Sequence, residues 1–435
     1  MSGGRKILAD TTPLKNANFR RLWITSIVTV IGGQLSIVAV PQQLFEITRN
    51  SAYVGLAGIF ALVPLVAFGL WGGALADVMD RRTLMMITSS GLGITSVLFW
   101  IQAALGLDNV WVVLVLLAVQ QAFFAINQPT RTAILPRLLP GDQLASANAL
   151  SMTVFQFGAI AGPLLAGILI PTLGLATLYL LDSIALLATL WALWKLPVLP
   201  PTGTLRRAGL REVLDGFVYL ATQKVLLASF VMDIIAMVFG MPRALFPQIA
   251  HESFGDPVEG GLVLGLLFAA MSAGAVIGGV FSGWLPRIRR QGFAVVVCIV
   301  LWGLAMLGFG IAVGFADHGP ATVWLWLALF FLAVGGGVDM ISAAFRTTML
   351  QQVATDEVRG RLQGVFTVVV AGGPRFGDLA HGAAAAGLGT AVAAGGGGIL
   401  VVVGVVVAAL LIPAFVRYRV GPAARDSVRV GEHEG

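Results

Sequence analysis

The sequence predicts an all-α integral membrane protein of twelve transmembrane helices arranged as two six-helix parallel repeats. Three observations predict it. Of the 435 residues, 57% are hydrophobic and 11% charged, with a mean hydropathy of +0.91, against about a quarter charged in soluble proteins. Apolar runs recur along the chain, each of the roughly 20 residues needed to cross a hydrocarbon core of about 30 Å, and backbone in lipid must satisfy its own hydrogen bonds, so the runs are helices. Glycines and arginines also repeat at fixed offsets between the two halves.

Spans are expected near 22–46, 53–76, 83–106, 110–130, 146–170, 174–195, 225–249, 261–285, 292–315, 321–345, 362–388 and 391–416, each bounded by charged, proline or glycine breaks. The first follows the basic start Arg5 to Arg21 and is too long for a signal h-region, with no early small-residue cleavage site. The second ends in GGALADVMDRR, and the third begins beyond that arginine pair. Span four runs up to Asn127-Gln128-Pro129, span five holds Gly162-Pro163, and span six holds Asp182 and ends at Lys195. A loop that starts proline-rich and continues basic and amphipathic then divides the chain. The expected organisation is residues 1–196 as one six-helix bundle, 197–223 as a cytoplasmic loop, 224–418 as a second bundle and 419–435 as a tail. In the second bundle, span seven carries Asp233 and Arg243, span nine the single cysteine Cys298, span ten Asp339 and Arg346, and span eleven Arg375, Asp378 and His381.

Alternating the loops from a cytoplasmic start places the basic residues of the N-terminus, the even-numbered loops and the tail inside, and leaves only Arg49 outside. That bias is what the positive-inside rule demands, with both termini cytoplasmic. The net charge of +6 is therefore loop charge, and no nucleic-acid partner is expected. One cysteine excludes an internal disulfide. The chain has no HExxH, CxxC, GxSxG or phosphate-binding loop, and its four histidines are scattered. No enzyme activity, metal, cofactor or direct ATP coupling is expected.

The dividing loop invites comparison of the halves. Gly72, Gly73 and Arg81 recur 206 positions on as Gly278, Gly279 and Arg287, and Pro41-Gln42 recurs as Pro247-Gln248. At an offset of 215, Arg131-Thr132 meets Arg346-Thr347, Asp142 meets Glu357, and Gly158, Gly162 and Gly167 meet Gly373, Gly377 and Gly382. Parallel halves related by an axis along the membrane normal are one architecture of secondary transporters, with the substrate site between them near the midplane.

The loop Gly73-Ala-Leu-Ala-Asp77-Val-Met-Asp80-Arg81-Arg82 resembles the signature loop of the major facilitator superfamily, a glycine, an aspartate four on, then an arginine pair. It departs at Val78, usually basic, and at Asp80, usually glycine. The resemblance implies a cytoplasmic latch of Gly73, Asp77, Arg81 and Arg82 that stabilises one access state; physically, the glycine lets helices approach and the aspartate suits the positive end of a helix. Span five, Gly158-Ala-Ile-Ala-Gly162-Pro163-Leu-Leu-Ala-Gly167, is similar to the glycine-proline motif of the superfamily's exporters, although small residues at this spacing also serve plain close packing. NANFRRLW (Asn16 to Trp23), MPRALFPQ (Met241 to Gln248), TML (Thr348 to Leu350) and GDLAHG (Gly377 to Gly382) resemble its siderophore-exporter and macrolide-efflux branch, which also holds a lysophospholipid transporter. The resemblance spans nearly the whole chain. It implies a monomeric exporter in a bacterial inner membrane that moves an amphiphilic small molecule, a siderophore first, against protons by alternating access. Multidrug or macrolide efflux is the alternative; lysophospholipid transport or a non-transporting receptor is a further one.

A charge at a helix centre costs about 2.5–3.5 kcal/mol on insertion scales, so each intramembrane charge marks a candidate site. Asp378 lies three residues from both Arg375 and His381, on one helix face. Asp378 is expected to couple to protons with Arg375 tuning it and His381 relaying, or else Arg375 and Asp378 form a fixed neutralising pair. Pro374 and its glycines are expected to loosen that helix. Asp339 and Asp233 are further coupling candidates, and Arg346, with its N-terminal counterpart Arg131, is expected near the cytoplasmic end as a gate charge. Arg243 is a candidate for an anionic substrate or for pairing with Asp339 or Asp378. Gln34, Gln42, Gln120, Gln121, Asn127 and Phe239 complete the candidate cavity, and span four lacks the arginine that many proton antiporters carry there.

Overall fold

A computed structural model of the chain describes residues 10–200, 218, 220–316, 321–353 and 356–419, so the loop and tail boundaries expected at 197–223 and 419–435 fall largely outside the described residues. The described residues form helices and connecting turns, with no strand among them. The spans are α1 (Ala17–Thr48), α2 (Ser51–Val78), α3 (Arg81–Ala104), α4 (Val110–Leu138), α5 (Leu144–Leu173), α6 (Leu175–Trp194), α7 (Lys224–Phe239), α8 (Leu262–Val280), α9 (Gln291–Gly314), α10 (Ala321–Val353), α11 (Asp356–Leu388) and α12 (Thr390–Leu411). Among the described residues, eleven helices are long and apolar enough to cross a membrane, counting α7 with the short helix Phe246–Glu252 that follows it. The twelfth, α11, is 33 residues long and carries the charges discussed below.

The first four spans start at side-chain caps. Asn16, Asn50, Asp80 and Asn109 each accept backbone N–H bonds from the first turn of the following helix, satisfying donors that a helix start leaves unpaired. Two connections consist of a single glycine in the left-handed region, Gly174 (φ 77°) between α5 and α6 and Gly389 (φ 82°) between α11 and α12. These two glycines are themselves 215 positions apart, an instance of the repeat that the sequence reading missed.

Packing repeats as the sequence does. In the first six spans α1 lies against α5 and α6, α3 against α4 and α6, and α2 against α4; each pairing recurs six helices later, α7 against α11 and α12, α9 against α10 and α12, and α8 against α10. The halves meet through α2 with α11 and, symmetrically, α5 with α8. Large apolar side chains such as Trp71, Leu187, Leu410 and Leu411 stand exposed on the periphery, which suits hydrocarbon surroundings.

Three expectations are corrected. Span seven was expected to be continuous, but it breaks between Phe239 and Phe246 at Gly240-Met241-Pro242, followed by a 3-10 turn Arg243–Leu245. Conversely, α11 passes through Pro374 without interruption. A proline removes one hydrogen bond in either place; what differs is that neighbouring helices in span seven hold the freed carbonyls open, as shown below. Finally, α10 runs on to Val353, two turns beyond Arg346, so this arginine sits inside the helix and is 6% exposed rather than placed at its end.

Candidate functional site

The site is built on the break in span seven. Without the helical donors that would follow, the carbonyls of Phe239 and Gly240 need partners. Trp302 of α9, fully buried, donates its indole N–H to Gly240 O at 3.0 Å. His381 of α11 places Nε2 3.1 Å from Phe239 O, and because a carbonyl only accepts, Nε2 carries the hydrogen. The expected proton relay, His381, is thus engaged in holding the break, and Phe239 contributes its carbonyl to it.

The break turns Arg243 inward beside a row of charges. Asp233 of α7 and Arg346 of α10 form a buried ion pair, 113 residues apart in sequence. Arg346 also reaches Asp339, on its own helix, at 3.5 Å. On α11, Arg375 and Asp378 pair at 3.8 Å. Arg243 lies between these groups: its charge acts on both Asp339 and Asp378, yet among the described residues it makes no hydrogen bond or ion pair, and its Nε is buried without a partner. The charges alternate along the row Asp233, Arg346, Asp339, Arg243, Asp378, Arg375. Three cations balance three anions, and Arg243 is the member of the row with no hydrogen bond or ion pair among the described residues.

The turn containing Arg243 packs on α2 and α11, where the halves meet. That contact is backbone on backbone. A Cβ at Gly55 would lie 2.5 Å from the carbonyl oxygen of Asp378, one at Gly58 2.4 Å from that of Arg375, and one at Gly382 2.5 Å from that of Ser51. The other contact matches it: a Cβ at Gly265 would lie 2.5 Å from Pro163 O, and one at Gly167 2.8 Å from Gly261 O. Gln42 donates to Val258 O at 2.7 Å and Ser51 donates to Gln248 at 2.6 Å, again joining the halves. All these contacts lie toward the end where α1 finishes and α2 begins, the arginine-poor end. A cavity of about 360 Å³ there, lined by Glu46, Ile170, Pro171, Gly174, Leu175, Pro257 and Glu259, involves none of the charges of spans seven, ten or eleven.

The remaining candidates separate into groups. Gln42 is 2% exposed and committed to the contact between halves. Gln34 packs its Cβ against Gly162, which is why that position has no Cβ of its own. Gly158 meets Val30 in the same way, so Gly158 and Gly162 seat α5 on α1, and Pro163 offers its carbonyl to the α8 contact. Asn127 donates to Thr88 at 2.8 Å and Ser89 at 3.1 Å, tying α4 to α3. Gln120 and Gln121 are half-buried, with no side-chain hydrogen bond among the described residues. Arg131 is half-buried and, among the described residues, has no ion pair like those of its counterpart Arg346.

At the arginine-rich end the surroundings of Gly73 and the side chain of Asp77 lie outside what the structure describes. Asp80, the departure from the family loop, has a defined task. Its carboxylate accepts from Thr83 N at 2.8 Å and Thr83 Oγ1 at 2.9 Å, capping α3, and from Leu199 N at 2.6 Å. Burial acts to raise its pKa, but these hydrogen bonds and the Arg82 charge outweigh it and hold the carboxyl below its ordinary value. Arg82 donates to the last carbonyls of α6, Leu193 O at 3.1 Å and Trp194 O at 2.8 Å, and Arg81 to Ala133 O at 2.9 Å.

Known proteins agree with this architecture. A family model described as transmembrane secretion effector matches residues 9–423. Among curated relatives, the enterobactin exporter EntS of Shigella boydii is 29% identical over 356 residues, 80% of each chain, and that of Citrobacter koseri is 27% identical over 350 residues, again 80% of each chain. Among solved structures, the nucleoside transporter NupG superposes with a TM-score of 0.70 at 14% identity, covering 92% of this chain and 98% of its own. A bacterial homologue of the iron transporter ferroportin, in an inward-facing state, superposes with a TM-score of 0.66 at 16% identity, covering 92% and 98%. The relatives are transporters rather than enzymes, and the likeness to the solved structures carries the fold. This multi-pass membrane protein, a secondary transporter by fold and kinship, belongs to the transmembrane secretion effector family of the major facilitator superfamily.

Proposed function

We propose that the protein exports an amphiphilic, anionic small molecule of the siderophore class across a bacterial inner membrane, working as a monomer by alternating access and driven by protons. The observation that carries this reading is Arg243, a guanidinium with no hydrogen bond or ion pair among the described residues, set in the break of span seven, between two carboxylates and against the contact of the halves. A guanidinium presents a planar fork of donors suited to carboxylate or phenolate oxygens. Kinship with enterobactin exporters supports the substrate class. With the arginine-rich ends placed in the cytoplasm, the closed contacts lie on the outer side, and the conformation is one that takes substrate from inside.

In this reading Asp378 is the carboxylate that exchanges its arginine partner, Arg375, for a proton when the α2 and α11 contact opens, since its own backbone forms part of that contact. Release of Arg375 from Asp378 would then report opening to the rest of the charge row. Asp233, Arg346 and Asp339 hold α7 and α10 together through the cycle.

The test compares iron-starved cells with and without the gene, with metabolites measured inside and outside by mass spectrometry. The expected result is a siderophore retained inside the deletion strain and depleted from its medium, restored by the wild-type gene but not by Arg243→Gln. Unchanged secretion, together with sensitisation to macrolides, would replace this reading with drug efflux.

A further inference from the structure

One buried carboxyl stands outside the charge row. Asp182, in the middle of α6, is 3% exposed, and its Oδ2 accepts from Ser36 Oγ of α1 at 2.8 Å and from Ser96 Oγ of α3 at 2.7 Å. Its other oxygen faces α1, where a Cβ at Gly32 would lie 2.9 Å from Oδ1. Among the described residues no ion pair includes it.

The charges on every element packed against α6 can be named. α1 carries Arg20, Arg21 and Glu46, α3 carries Arg81 and Arg82, α5 carries none, and α6 has no other ionisable group than Tyr179, which donates to Gln43. At 1.5 Å per residue, Arg21 and Arg82 lie about 20 Å along their helices from Ser36 and Ser96, and Glu46 about 15 Å. Arg82 is moreover committed to the end of α6. Asp182 therefore sits in a buried junction of three helices with neutral partners only among the described residues, and no helix end adds a dipole to its surroundings.

Partner chemistry separates this site from the carboxylates of the other half. Arginine only donates, and so locks a carboxylate in its charged form. A serine hydroxyl donates to a carboxylate and, after rotation, accepts from a carboxylic acid, so the same two serines satisfy either form. An uncompensated buried charge is costly, and a carboxyl in such a place resolves the cost by taking up a proton.

We propose that Asp182, with Ser36 and Ser96, is a proton-binding site of the N-terminal half: it carries a proton in this conformation and releases it when α1 moves against α3 and α6. Its part in turnover rests on the proton-driven reading above, whereas the presence of the proton does not. The first test needs no substrate. Infrared spectra of the purified full-length protein in lipid at neutral pH should show a protonated-carboxyl C=O band that Asp182→Asn removes and Asp378→Asn leaves. Ser36→Ala should shift the band without removing it, which keeps the test valid if Asp182→Asn folds poorly. A band unchanged in Asp182→Asn, or none in wild type, would overturn the proposal, as would sodium binding that stabilises wild type but not Asp182→Asn.

The second test uses proteoliposomes with enterobactin as the probe. Gradient-driven transport should fall about tenfold or more in Asp182→Asn while exchange without a gradient persists. Wild-type transport indifferent to the gradient would sink the proton-driven reading and this coupling role together. Gradient-driven wild type with an unimpaired variant would remove Asp182 alone.

Discussion

Replacing Gly55 by alanine tests whether the glycine contact between α2 and α11 is the closure of the arginine-poor end. The added Cβ would lie 2.5 Å from Asp378 O, 3.1 Å from Gly382 Cα and 3.2 Å from Leu379 Cα. All three are backbone atoms, so no side chain can swing away. Carbon contacts prefer about 3.5–4.0 Å, so the helices must part by about 1 Å at this point. Overpacking of this kind costs about 1–3 kcal/mol. Only the state closed at this end bears the cost, and the equilibrium should therefore shift about 5–150-fold toward the state open there. Spin labels at Leu107→Cys and Leu388→Cys, exposed positions on the two halves, read the separation by double electron–electron resonance, with the buried Cys298 replaced by serine. The distance distribution should move to longer values in Gly55→Ala and stay put in Gly33→Ala, where nothing lies within 4 Å of the added Cβ. A folded Gly55→Ala protein with the wild-type distribution would show that the contact yields without opening, and the closure would have to be sought elsewhere.

Other consequences follow from single contacts. Arg346→Gln strands Asp233 without its cation and leaves Asp339 only the charge of Arg243, and should destabilise the protein by about 3–5 kcal/mol; adding Asp233→Asn should recover much of this in a thermal-stability assay, and no recovery would break the assigned pairing. Trp302→Phe leaves Gly240 O buried and unpaired, an expected loss of about 1–3 kcal/mol in the same assay. Asp80→Ala removes the cap of α3 and the tie to Leu199, worth about 1 kcal/mol. Because the folded Asp80 carboxyl titrates below its ordinary value, its contribution is complete above the unfolded carboxylate range and is lost as pH falls through the folded value. Wild type and Asp80→Ala should thus differ in melting temperature near neutrality and converge in strong acid.

What could be read from the chain was whatever depends on length, charge placement and local order. Apolar runs count spans because a bilayer fixes their length, and glycines at a shared offset revealed the duplication because their role, close approach, is the same in each half. Gly174 and Gly389 obeyed the same offset and were available to the same comparison. The break in span seven was hidden because Gly240-Met241-Pro242 looks milder than Gly372-Gly373-Pro374. What decides between a tolerated proline and a broken helix is whether Trp302 and His381 arrive from other helices to take the carbonyls. Pairings such as Arg346 with Asp233 are set by packing alone, and neither residue's neighbours in sequence announce the other.

The duplication is kept in the contacts and abandoned in the charges, and that division bears on mechanism. Gly158 and Gly162 seat α5 on α1, and Gly373 and Gly377 seat α11 on α7; Gly167 and Gly382, next in each series, face the opposite half. Gln42 and its counterpart Gln248 each bind the segment that opens the opposite half's second span, Val258 before α8 and Ser51 at the start of α2. In the proposed cycle, a closure built from two equivalent contacts about a pseudo-two-fold axis opens at both together, since neither contact can open alone without straining the other. The buried ions obey no such symmetry: Arg346 gained Asp233 and Asp339, while Arg131 gained neither. Symmetric contacts with asymmetric charge suit the unequal tasks proposed above, an anion taken up at Arg243 in one half and, in the other, a carboxyl, Asp182, with no cation partner among the described residues.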